Sequence, residues 1–129
     1  MEKRIINPWK WQDARNYVQA TEVKNLASTL YVSGQTAIDA NGVSSKEDMR
    51  SQMSQALDNL EKVIQEADYK CEDIVRLNIY TTSSEELFNN FDVFQNWIIK
   101  HGIKQTSTVL EVKVLFETLK VEFEATVVK

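Results

Sequence analysis

The chain has 129 residues, 43% of them apolar, with three Gly, one Pro, one Cys and a net charge of −4. This describes one domain over residues 1–129, large enough for a core without staples, in which the lone Cys71 cannot form an internal disulfide. Lys and Arg are scattered among acids, and the densest group, Lys100, His101 and Lys104, is too small for a phosphate backbone, so nucleic acid is not expected as a partner.

The start, Met1 to Gln12, carries charges at Glu2, Lys3 and Arg4 and no apolar segment, so it reads as neither signal peptide nor anchor. No apolar run approaches membrane-spanning length, and the expected setting is reducing and cytoplasmic. β-Branched and aromatic residues predict strands over 18–23 and 30–38, with a tight turn at Asn41 and Gly42. Met49, Met53, Ala56, Leu57, Leu60, Val63, Ile64 and Ala67 recur every three or four residues, which predicts an amphipathic helix over 46–67. Ser44 or Ser45 is the expected cap, with Glu47 and Asp48 in the first turn, where the helix dipole favours negative charge.

A strand over 74–81 follows, then a second helix read from Leu87, Phe91, Phe94 and Ile98, begun near Ser84 and stopped by Gly102. His101, at that helix end, reads as a partner of the dipole. Strands over 107–115 and 120–128 end the chain. In the last one Val121, Phe123, Ala125 and Val127 alternate with Glu122, Glu124, Thr126 and Val128, giving an apolar face and a face with two carboxylates. The order predicts an α+β fold, a mixed β-sheet with two helices packed on one face and the other face in want of a partner. Cys71 has only His101 as another soft ligand, so no metal site is expected, and nothing points to an organic cofactor.

Short segments spread over nearly the whole chain resemble the Rid (reactive intermediate deaminase) family, also called YjgF. They are Tyr17, Val18 and Gln19; Val32, Ser33, Gly34 and Gln35; Ala56, Leu57, Asn59 and Leu60; Asp73, Ile74 and Val75; and Val121, Glu122, Phe123, Glu124 and Ala125. The resemblance implies a chorismate-mutase-like trimeric barrel assembly, a homotrimer with small-molecule clefts between neighbouring subunits, which would cover the bare sheet face. Family members with deaminase activity hydrolyse enamines and imines, such as 2-aminoacrylate, that leak from pyridoxal-phosphate enzymes.

By the same resemblance Glu122 falls on the family's water-orienting Glu, Tyr17 on its pocket Tyr, and Ser33 and Gly34 on its ligand-contacting loop, while Phe91 borders the cleft. Aligning Glu111 and Val112 with the family's Glu-Val pair puts Ser107 where the family has the Arg that holds the substrate carboxylate. No hydroxyl reproduces a bidentate, charge-assisted contact. Arg15, standing with Asn16 where the family has Gly and Pro, is the candidate replacement. Trp9 and Trp11 add two indoles that either select a flat ligand or, as the more ordinary role, pack on a neighbouring subunit. Two function classes stay open. One is a hydrolase of an imine, enamine or small carbonyl compound; the other is a non-catalytic binding or regulatory trimer. A third label attached to parts of the family, endoribonuclease or translation inhibitor, is opposed by the acidic charge and the single His.

Overall fold

The alternation in the last strand sets the architecture. In a computed structural model describing residues 1–129, the elements are β1 (Glu2–Ile6), β2 (Ala20–Lys24), β3 (Thr29–Gln35), α1 (Met49–Glu66), β4 (Ile74–Thr81), α2 (Ser84–Asn89), α3 (Asp92–His101), β5 (Thr106–Glu111) and β6 (Val121–Val128). β6 runs inside a four-stranded sheet of order β3-β6-β4-β5, antiparallel to both neighbours, and β5 lies parallel to β4 across the α2–α3 connection. Val121, Phe123, Ala125 and Val127 face the helices and join Met53, Leu57, Leu60, Leu77, Ile79 and Phe94 in one core. Removing this apolar surface from water is the main favourable contribution to folding. No helix covers the opposite face, where Tyr31 stands 80% exposed.

Several boundaries differ from the sequence expectation, each for a local reason. α1 starts at Met49 because Asp48 caps it, accepting from the Ser51 N–H at 2.9 Å. Ser44 instead donates to Glu117 at 2.8 Å, and Ser45 Oγ accepts from the Glu47 N–H. The single second helix expected over 84–102 is two. It breaks at Asn90, whose side-chain amide donates back to the Glu86 carbonyl at 2.8 Å, an alternative to helix bonding that Asn offers readily. Gly102 ends α3 in the left-handed conformation, φ 64°, as its position required.

The expected strand over 18–23 is β2, and it leaves the main sheet to pair with β1, which periodicity did not announce. β1 is short and charged, held by cross-strand pairing such as Arg4 with Glu22 at 3.3 Å. The Val18 N–H donates to the Gln105 carbonyl at 2.8 Å, and Gln105 Nε2 donates to the Asn16 carbonyl at 2.6 Å, so residues 16–18 are tied to the start of β5. β5 ends at Glu111, short of the expected 115, because the chain leaves the sheet there and exposes Val114 and Phe116. Buried Gln52 gathers the return. Its amide nitrogen lies within bonding distance of the Ser45, Glu47 and Thr118 carbonyls, and its oxygen accepts from the Lys120 N–H at 2.8 Å. No helix is long and apolar enough to cross a membrane.

Candidate functional site

A cavity of about 590 Å³ opens where residues 14–19 pass the α2–α3 junction and β5. Arg15, Tyr17, Phe91 and Ser107, four of the residues singled out in the sequence, line it together. Phe91 follows the break at Asn90 and lies in its wall. Phe88, Phe91, Phe94 and Phe123 form a chain with successive ring centroids 5.2, 5.2 and 5.8 Å apart, so the apolar wall of the cavity is continuous with the core. Gln95 supplies a polar group that sequence reasoning missed, although it lies one helical turn from Phe91.

Arg15 is exposed and forms no ion pair with the chain's own carboxylates. Its guanidinium carbon lies 6.0 Å from the Trp11 ring centroid, and Trp11 stacks on Trp9 at 5.8 Å. Arg15, Asn16 and Tyr17 also border a second cavity of about 420 Å³, completed by Gln12, Ile99, Gly102 and Lys104. Ser107 pairs with Leu77 in the sheet and its hydroxyl donates to the Leu77 carbonyl. Its proton is committed, leaving lone pairs that can accept from a water or an N–H.

Glu122, Ser33 and Gly34 lie elsewhere. Glu122 pairs with Tyr80, whose side chain faces away from the helices, whereas Ser107 pairs with Leu77 on the core side. Within one chain the sheet therefore separates Glu122 from Ser107, and the seven sequence candidates fall into two groups. A bulge between Val32 and Gln35 brings Gly34 against Glu122. A Cβ on Gly34 would lie 2.5 Å from Glu122 Cδ, so only a glycine leaves the carboxylate room.

Burial, and then the negative charge of Glu124, push the Glu122 carboxyl above its ordinary range. Glu124 is held by the Tyr80 hydroxyl at 3.0 Å and the Asn78 amide at 3.3 Å. Glu124→Gln removes the second cause, so the Glu122 titration should move to lower pH; carboxyl NMR would register this, and an unmoved midpoint would contradict it. A raised acid is favoured protonated in the fold, so its contribution to stability is present below the unfolded pKa and lost as pH rises through the folded one.

Burial and the adjacent Glu61 push the Cys71 thiol up to about 11, which makes it a poor nucleophile. His101 stands in the last turn of α3, as the dipole reading expected, and lies 2.8 Å from Glu61 on α1.

Residues 10–129 match the family described as Endoribonuclease L-PSP. A RutC family protein from Aquifex aeolicus (strain VF5) is 28% identical over 113 residues, 88% of each chain. A Yersinia pestis protein of unknown function from the conserved Rid protein family, YyfB, has a TM-score of 0.85 at 29% identity over the whole of both chains. Escherichia coli TdcF with bound serine has a TM-score of 0.73 at 23% identity, covering 88% of this chain and 87% of that one, which shows a shared fold. Matched over nearly its full length and with the same chorismate-mutase-like α+β arrangement, this chain belongs to the Endoribonuclease L-PSP family, the Rid/YjgF proteins.

Proposed function

We propose that the protein hydrolyses a small imine, enamine or related carbonyl compound as a homotrimer, in clefts between subunits. The observation that carries this reading is the division of the site. Arg15, Tyr17, Phe91 and Ser107 surround one cavity while Glu122 and Gly34 occupy the far face of the sheet, so only a second copy can bring the two groups to one ligand. Homo-oligomeric relatives and the helix-free sheet face support such an assembly.

In that cleft Phe91 and Tyr17 form the walls, Arg15 meets an anionic or carbonyl oxygen, and Ser107 Oγ accepts from the imine N–H. Glu122 of the partner subunit accepts a proton from the water that attacks the carbon of the protonated imine, giving a neutral carbinolamine. It then returns that proton to nitrogen, and as the C–N bond breaks the carbinolamine hydroxyl gives its proton to water, releasing a carbonyl product and ammonia. A carboxyl with a raised pKa suits both transfers. Each hydrogen bond to a charged group is worth about 1.5 to 3 kcal/mol, so with Ser107 in place of an Arg, a carboxylate substrate loses roughly one to two decades of affinity per bond.

The test is an assay in which a dehydratase generates 2-aminoacrylate or 2-iminobutyrate in situ. The wild type is expected to speed imine decay, and Arg15→Ala to lower kcat/KM by roughly 10- to 100-fold, the value of about one lost charged hydrogen bond. Turnover only after Ser107→Arg would overturn the hydrolase and favour the second reading, a binding trimer without chemistry. That alternative draws on one observation, the Ser107 hydroxyl already tied to the Leu77 carbonyl. The endoribonuclease activity in the family's description has less support here, since Arg15 and Lys104 are the only cations lining the two cavities.

A further inference from the structure

We propose that Glu61, Cys71 and His101 form a divalent metal site suited to Zn²⁺, separate from the cleft. The three come from distant parts of the chain. Glu61 lies on α1, Cys71 in the short turn before β4, and His101 in the last turn of α3. One ligand atom of each lies within 4.8 Å of the other two. Tetrahedral Zn²⁺ with bonds of about 2.0 to 2.3 Å needs its donor atoms roughly 3.3 to 3.8 Å apart, so the widest separation would have to close by about 1 to 1.5 Å, within the reach of side-chain rotation.

An ordinary His–Glu ion pair beside a buried thiol is the competing account, and the geometry speaks against it at one atom. His101 Nε2 is sealed from solvent and lies 2.8 Å from Glu61 Oε1, yet it is not aligned for a hydrogen bond to that oxygen or to any other group. A bound Zn²⁺ would give this unpaired nitrogen a partner and part the two atoms by about half an ångström, to the spacing that shared coordination needs. Trp97 meets the imidazole edge-on, ring centroids 5.0 Å apart, and fixes its plane. Cys71 is 5% exposed, while the Glu61 and His101 side chains are 22% and 17% exposed, so the fourth position faces solvent and would take a water. Imidazole, thiolate and carboxylate together match the borderline-soft character of Zn²⁺. The metal replaces the thiol proton, and the two negative ligands balance its charge. None of the three residues lines the cavities described above.

The purified 129-residue chain, stripped of metal, is titrated with Zn²⁺ against a chromophoric chelator. One Zn²⁺ per chain is expected, with the thermal midpoint raised by roughly 5 to 10 °C at saturation. Co²⁺ in its place should give a thiolate-to-metal charge-transfer band in the near ultraviolet that Cys71→Ala abolishes. Glu61→Gln and His101→Gln should weaken Zn²⁺ binding at least tenfold, and both sit at partly exposed positions where circular dichroism can verify the fold even if Cys71→Ala fails to fold. No stoichiometric uptake by the wild type, or equal affinity in folded Glu61→Gln and His101→Gln, would overturn the assignment.

Discussion

Gly34→Ala is expected to cut imine hydrolysis by about 100-fold or more while the protein still folds, because a misplacement of ~1 Å in a reacting group costs about that much. The added Cβ would lie 2.5 Å from Glu122 Cδ and 2.7 Å from Cγ and Oε1, far inside van der Waals contact. Gly34 is not among the residues with positive φ, so alanine meets no backbone strain there, and relief has to come from Glu122 swinging away. Glu122→Gln should produce a similar loss, and the double variant little more, since both act through one carboxylate. Kinetics beside circular dichroism checks this. Full activity in a folded Gly34→Ala would remove Glu122 from the mechanism. At neutral pH the thermal midpoint of Glu122→Gln should equal or exceed that of the wild type, because burial and Glu124 both oppose the negative charge it removes.

The largest effect on stability is expected at Gln52. Gln52→Leu fits the volume but takes a fully buried partner from the Lys120 N–H and from the Glu47 and Thr118 carbonyls, while the Ser45 carbonyl keeps the Thr118 hydroxyl. An orphaned buried group costs about 1 to 3 kcal/mol, and several at once put the expected loss near 3 to 4 kcal/mol. Urea unfolding at fixed protein concentration measures it, and a change under 1 kcal/mol would contradict the role given to this residue. The consequence reaches the site, because the segment Gln52 holds runs directly into Val121 and Glu122.

The elements that build the core were legible in the sequence for a simple reason: their side chains repeat with the period of the backbone. β4 occupies 74–81 as expected, β6 alternates as read, and α1 buries Met49, Met53, Ala56, Leu57, Leu60 and Ile64 from the predicted stripe. What escaped has no such period. β1 is charged and depends on pairing with β2, and the split of the second helix turns on one Asn side chain. Asp48 capped α1 although Ser44 and Ser45 are equally good caps by type, since their hydroxyls were taken by Glu117 and the Glu47 N–H.

The site shows the same limit in another form. Alternation assigns faces within a strand, but whether Ser107 and Glu122 share a face depends on pairing through β4, which sequence spacing does not contain. The family resemblance placed Arg15, Tyr17, Phe91 and Ser107 near one another, and they line one cavity. Cys71 and His101 were paired in the sequence only as too few ligands for a metal, and Glu61 went unseen, since a Glu is an unremarked residue on a helix until the fold sets it beside a thiol and an imidazole.

Mixing two impaired variants addresses the shared cleft directly. Arg15→Ala and Glu122→Gln damage opposite sides of the sheet, so in a randomly mixed trimer about a quarter of the clefts would combine an intact Arg15 with an intact Glu122 from the next chain. Equal amounts of the two, co-refolded, should recover roughly that fraction of wild-type imine hydrolysis, above the residual rate that either variant shows alone. A mixture that forms three-chain assemblies by light scattering yet remains as inactive as its parents would contradict a cleft built from two copies of this chain.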